Sequence, residues 1–297
     1  MLAASAPLAN CTPVGVPVQV QTTGDAVPLI VASDWHVEED VDPRKVHGRN
    51  EFNPKIATAR AQAFARNALR LIDLSAADSR VTKVLVGLLG DFISGSIHDD
   101  LIEGNHLGPA EAICFAQDLL AGVIRFWLEE SPYEFEFVCV GGNHGRMTHK
   151  KRIQTAAENS LEFFMYHSLA KEFRDETRVR FSICPGTMAY AHLFGGYVLR
   201  FVHGDSIGYN GGVGGLTIPL RKRISGWDKA RPAALTVLGH FHQRLDGGDF
   251  LVNGSLIGYN EFAQEFGFSP EEPQQQFALI HSRRGGTKSV VAPIWVT

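Results

Sequence analysis

Long apolar runs are missing from this chain of 297 residues. Nothing in it approaches the ~20 consecutive apolar residues that a membrane-crossing helix requires, so no membrane partner is expected. Cysteine is scarce: Cys11, Cys114, Cys139 and Cys184 are scattered, without the paired spacing of a zinc knot or a disulfide framework. They read as unpaired thiols, Cys139 as a small residue inside an apolar run. A cationic excess is absent too. The formal charge of −4 argues against a generally basic, nucleic-acid-coating surface, while leaving room for local clusters. Met1–Ala9 lacks the basic start and long apolar centre of a secretory signal, and with unpaired thiols this sets a cytoplasmic expectation. The glycine-rich segment Gly208–Gly215 lacks the Gly-Lys-Ser/Thr ending of a nucleotide P-loop and reads instead as a lid or hinge.

What is present is enough apolar material, 44% of residues, for one large core. Residues 1–26, rich in Pro and Thr, are expected to form a loosely ordered extension, and 27–297 a single domain. Helical periodicity runs over Ile56–Ala77, Ala110–Glu129 and Thr155–Phe173. Short apolar runs mark strands at Pro28–Ala32, Val84–Leu89 and Phe135–Val140. A β-rich second half follows, at about Arg178–Ile183, Met188–Phe194, Tyr197–Val202, Ala234–Leu238, Phe250–Val252, Gln276–His281 and Ser289–Trp295. This order fits an α/β chain with two stacked sheets flanked by helices.

Five polar motifs each follow an apolar run directly: Asp34-x-His36, Gly90-Asp91, Gly142-Asn143-His144, His203-Gly204-Asp205 and Gly239-His240-x-His242. Strand ends that share a crevice can bring together residues distant in sequence. Asp34, His36, Asp91, Asn143, His203, His240 and His242 supply carboxylate, imidazole and carboxamide donors, a mixed N/O set suited to Mn, Fe, Zn or Ni. Seven donors exceed the needs of one tetrahedral ion and suit two divalent ions sharing a carboxylate. Manganese is the first expectation, with Fe, Zn, Ni or Mg as alternatives. His47, His106, His149, His167, His192 and His281 fall outside the motifs and read as ordinary solvated or hydrogen-bonded residues.

These motifs, in this order from about Leu29 to Ser255, resemble the signature of the calcineurin-like metallophosphoesterases. The resemblance implies a four-layer αββα sandwich of two mixed β-sheets. It also implies one metal held by Asp34, His36, Asp91 and His242, and a second by Asp91, Asn143, His203 and His240, with Asp91 bridging. His144 corresponds to the family's catalytic histidine, placed to protonate the leaving oxygen of a phosphate ester. Many members follow that histidine with Asp or Glu, whereas Gly145 and Arg146 follow it here. Arg146 could offer a fork of donors to a phosphate oxygen, and His98, in a loop beyond Asp91, could touch substrate along with Asn143.

The substrate is less determined. Arg146, His149, Lys150, Lys151 and Arg152 follow the His144 motif, and Arg221, Lys222 and Arg223 follow the glycine-rich segment. Both clusters can serve as solvated helix faces or as contacts for a polyanion. Tyr209, Tyr259 and Trp227 could stack on bases or simply pack. A metal-dependent phosphodiesterase acting on DNA or RNA, resembling the family's exonuclease branch, is therefore placed ahead of a phosphatase or phosphodiesterase for a small nucleotide. A non-catalytic scaffold of the same fold is the reading from another class; the intact ligand set weighs against it. Oligomeric state is not legible.

Overall fold

The apolar runs that precede the motifs are strands in the computed structural model, which describes residues 17–97, 99–208 and 215–297. Residues 1–16 of the expected extension, with Cys11, lie outside the described residues, as do His98 and residues 209–214 of the glycine-rich segment, with Tyr209. In chain order the first elements are β1 (Val18–Gln19), β2 (Ala26–Ala32), α1 (Pro54–Ala76), β3 (Lys83–Leu88), α2 (Asp99–Gly104), α3 (Pro109–Glu130) and β4 (Glu134–Cys139). Then come α4 (Leu161–Glu172), β5 (Val179–Ile183), β6 (Met188–Leu193), β7 (Tyr197–Val202), α5 (Thr217–Asp228) and β8 (Leu235–Leu238). The chain closes with β9 (Leu245–Asp246), β10 (Phe250–Val252), α6 (Glu261–Glu265), β11 (Gln274–His281) and β12 (Thr287–Trp295).

The strands form two mixed six-stranded sheets, ordered β12-β11-β2-β3-β4-β5 and β1-β6-β7-β8-β10-β9. In the first, β2, β3, β4 and β5 run parallel and β11 joins β2 antiparallel. In the second, β7, β8 and β10 are parallel. Alternation along each strand divides the core. Ile30 and Ala32 of β2, Val84 and Val86 of β3, and Phe135 and Phe137 of β4 face α1, α3 and α4. Leu29, Val31, Leu85 and Val138 face the second sheet, meeting Leu199, Phe201, Leu235, Val237 and Leu251. On the far side, Val202, Leu238, Phe250 and Val252 pack under Leu220 and Ile224 of α5. Helix, sheet, sheet and helix therefore make four layers with three apolar seams.

Local sequence accounts for the long helices. Asn53 caps α1 by accepting from the Ile56 N–H at 3.0 Å, Pro54 opens it, and Ala57, Ala61, Phe64, Ala68 and Ile72 recur on its buried face. Among the segments that differ from expectation, three show why. Val18–Gln19, within the segment expected to be loose, pairs with Ala191 and His192 of β6 and buries Val18; a two-residue strand is too short for a local pattern. The third helix begins at Leu161 rather than Thr155, because Ser160 is extended and accepts from the Phe163 N–H as N-cap. Helix α5 carries Arg221, Lys222 and Arg223 where no helix was expected. It buries only Leu220 and Ile224 and contains Pro219 and Gly226, so its periodicity is faint.

Candidate metal centre

Asp34 follows β2, Asp91 follows β3, Asn143 and His144 follow β4, His203 follows β7, and His240 and His242 follow β8. All five are carboxyl ends of strands parallel to a neighbour in their sheet, so the loops leave on the same side. The backbone at these loops is unusual. Of eight non-glycine residues with positive φ among the described residues, five are Asp34 (57°), His36 (48°), Asp91 (54°), His240 (72°) and His242 (54°). Such conformations are held only by surrounding structure and cluster at functional sites. The loops also touch: a Cβ on Gly142 would run into the Asp91 carboxylate, and one on Gly239 into Ser33 and Asp34.

Two groups of possible ligands result. Asp34, His36 and His242 offer donor atoms that all lie within 4.8 Å of one another, and so do Asp91, His203 and His240. Each group draws from both sheets. In the first, His242 Nε2 stands 3.5 Å from Asp34 Oδ1, while His36 Nδ1 bonds Ser94 Oγ at 2.8 Å. His36 Nε2 is buried and has no hydrogen-bond partner. In the second, His203 Nδ1 donates to the Leu89 carbonyl at 2.6 Å, which aims Nε2 at Asp91 Oδ2 (2.8 Å) and Asn143 Oδ1 (3.0 Å). Asn143 thereby joins the second group.

The titration of these groups reports the charge they demand. Burial, then the neighbouring His144 and His242, holds His36 well below its ordinary value, and burial with His203 lowers His240 to about 4. Both rings are therefore neutral, the form in which imidazole binds a metal. Burial alone would lower His203 as well, but the adjoining Asp91 carboxylate outweighs it and raises His203 to about 10. Two oxygen acceptors around one ring nitrogen call for a positive charge there, either a proton or a cation. With the orphaned His36 Nε2, this donor set fits two divalent ions.

A ring of supporting groups, invisible as motifs, holds the ligands. Ser94 is its hub: its Oγ bonds His36 Nδ1 and Glu39 Oε2 (2.8 Å each), and its carbonyl accepts from His144 Nδ1 at 2.9 Å. Glu38 Oε1 accepts the N–H groups of Ser94 and Gly95, both at 2.8 Å, and burial pushes the Glu38 carboxyl up to about 8. On the other side, fully buried Glu162 at the start of α4 accepts from Phe92 N (2.8 Å) and Gly142 N (2.7 Å), tying the Asp91 loop to the Asn143 loop. Burial and the Asp91 charge raise Glu162 to about 7. Gln275 Oε1 accepts from Ser33 N and Asn253 Nδ2, and Ser33 Oγ donates to Asp34. Alone in a sequence, Glu162 reads as an acid in a first helical turn and Ser94 as a turn residue, so only proximity marks them.

His144 takes its orientation from the Ser94 carbonyl, in place of the carboxylate that many members of the resembling family carry in the next position. A carbonyl can only accept, so Nδ1 carries the hydrogen in the neutral ring. The His144 N–H also donates to Asp91 Oδ1 at 2.8 Å. Arg146 differs from expectation. Its guanidinium donates to the carbonyls of Asn143 (2.7 Å), Thr148 (3.1 Å) and His149 (3.4 Å), so its fork braces its own loop. It still lines an open recess beside the second group, with Asn143, Lys151, Arg152, His203 and Asp205. Lys151 is paired with Asp205, and Arg221 of α5 with Asp249. Tyr259 and Trp227 both pack partly buried.

Compared with known proteins, the chain matches no family model and no curated protein. No helix among the described residues is long and apolar enough to cross a membrane.

Proposed function

We propose that this protein is a metallophosphoesterase: a hydrolase that cleaves phosphate esters at a pair of divalent cations, manganese first among them, with phosphodiesters of nucleic acid as its main substrate. The observation that carries the reading is the pairing of two Asp/His groups, each with one imidazole, His36 or His203, anchored by a second hydrogen bond, beside His144, whose ring meets that of His36 edge-on at 5.0 Å. Asp34, His36 and His242 would hold one ion, and Asp91, Asn143, His203 and His240 the other. Bound there, the cations would supply Lewis acidity, lowering the pKa of water and offsetting charge on the phosphoryl oxygens.

The chain's own groups do the rest. His144 Nε2 carries the proton to the departing oxygen, a role worth about 10²–10⁴-fold in rate. The Ser94 carbonyl keeps that nitrogen the reactive one. Arg146 holds the Asn143 carbonyl, so the Asn143 side chain stays against His203. On the recess beside His203, Arg152 and the Lys151–Asp205 pair leave net positive charge that gives an extended polyanion a place beyond one phosphate. This last feature supports nucleic acid over a compact monoester.

The test is hydrolysis of bis-p-nitrophenyl phosphate, p-nitrophenyl phosphate and labelled single- and double-stranded DNA by the protein in Mn²⁺, with Asp91→Asn as control. Cleavage of the diester and of DNA, lost in the variant, is expected. Monoester turnover with intact DNA would transfer the protein to small-molecule phosphatases, and no turnover of any substrate would overturn the reading.

A further inference from the structure

The crevice has two unlike sides. Beside His203 lies the recess lined by Arg146, Lys151 and Arg152. Beside His242 lies a second open recess, lined by Phe241, Tyr259, Phe262 and Phe268 together with His240 and His242 themselves. Phe262 is 61% exposed, and Phe266, which caps the same short helix, is 63% exposed, their ring centroids 4.5 Å apart. An exposed aromatic surface next to polar groups offers a stacking face to a planar ligand. Here the polar groups are Gln243 and Glu271 at the rim.

The wall is also registered on the chemistry. Asn260 caps α6 by accepting from Ala263 N at 3.0 Å, and its Nδ2 donates to Glu39 Oε1 at 2.8 Å. Glu39 accepts from Ser94 Oγ, and Ser94 holds both His36 and His144. A short chain of hydrogen bonds therefore sets the aromatic recess at a fixed place relative to the histidine of the reaction.

We infer that this recess is a nucleobase site: it takes the base of the nucleotide whose phosphate lies at the metal centre, while the strand continues over the cationic recess on the other side. The inference rests on the phosphoesterase reading and narrows its substrate to nucleotide ends with an unpaired base. A flat, apolar group would lie on the exposed Phe262 ring with its heteroatom edge toward Gln243 and Glu271, and the candidate ligand histidines in the same lining join the base to the phosphate. A paired base inside a duplex could not enter.

The test is calorimetric titration of the full chain in Mn²⁺ with three probes. These are adenosine, the phosphonate analogue of AMP, and the phosphonate analogue of ribose 5-phosphate, in which the P–C bond resists hydrolysis. The AMP analogue is expected to bind at least about fivefold more tightly than the baseless one, from the usual strength of base stacking on an aromatic ring. Phe262→Ala, at an exposed position that tolerates truncation, is expected to remove most of that difference, and Phe262→Trp to keep it. Leu74→Ala, exposed on α1, serves as control. Equal binding of the two analogues, no binding of either, or an undiminished base preference in Phe262→Ala would overturn the inference. Adenosine alone reads the recess without a phosphate. Its Phe262-dependent binding in a protein that cleaves no phosphoester would support the recess and count against the proposed reaction, whereas cleavage of DNA with equal binding of both analogues would count against the recess alone.

Discussion

The two ligand groups are built alike and balanced differently. In the first, His36 is neutral with an orphaned Nε2, and the single carboxylate, Asp34, is already bonded to Ser33 and the His240 N–H. In the second, Asp91 and Asn143 both turn oxygens toward His203 Nε2, and the Asp91 carboxylate outweighs burial and raises that imidazole to about 10. The first group offers an unpaired imidazole nitrogen; the second is an electrostatic sink for positive charge. The difference teaches that the identity of the candidate ligands alone does not set the charge a site demands. The contacts behind each ligand do.

The comparison can be broken most severely at Asp91. Asp91→Asn is expected to lower kcat/KM on diesters on the order of 10³-fold or more and to reduce bound Mn measured by atomic absorption, because the sink loses its charge. His144→Ala should leave bound metal unchanged and reduce kcat by about 10²–10⁴-fold; full turnover in that variant would remove the assigned role. Next in size, the supporting groups should separate the two sites. Glu162→Gln is expected to weaken the second group's metal by roughly 10–100-fold, and Ser94→Ala the first group's, with two-step metal titrations showing which step moves.

The smallest expected effect lies away from the centre. Glu136 of β4 is buried on the face toward the second sheet, where Ser182 Oγ donates to it at 3.2 Å, and burial raises its carboxyl from 4.5 to about 7. Its folded pKa exceeds the unfolded one, so its contribution to stability is complete below about pH 4.5 and is lost as pH rises through about 7. Glu136→Gln mimics the protonated form. It should leave Tm near wild type at pH 4.5 and raise it by about 2–4 °C per kcal/mol relieved at pH 8, read by circular dichroism. An unchanged difference between the two pH values would remove Glu136 as the cause.

Much of this architecture was legible before the coordinates. Each ligand motif abuts an apolar run that can only be a buried strand, so sequence order already lines up five loops, and α1 and α3 carry strong 3.6-residue periodicity. What escaped was non-local. Val18–Gln19 is a strand only because β6, some 170 residues later, offers an open edge. Helix α5 is held by packing on Val202, Leu238 and Phe250 rather than by its own propensity. Ser94, Glu38 and Glu162 carry no spacing rule; each matters because two loops from different strands end within reach of one side chain. Arg146 shows the converse, a residue whose position in a motif suggested phosphate and whose donors meet backbone carbonyls instead.

The left-handed backbone at Asp34, His36, Asp91, His240 and His242 sets stability against composition. Each side chain there costs roughly 1–2 kcal/mol that glycine would not. All five lie in the loops that carry the candidate ligands, so the fold holds its costliest backbone where the proposed reaction would need side chains that glycine cannot supply.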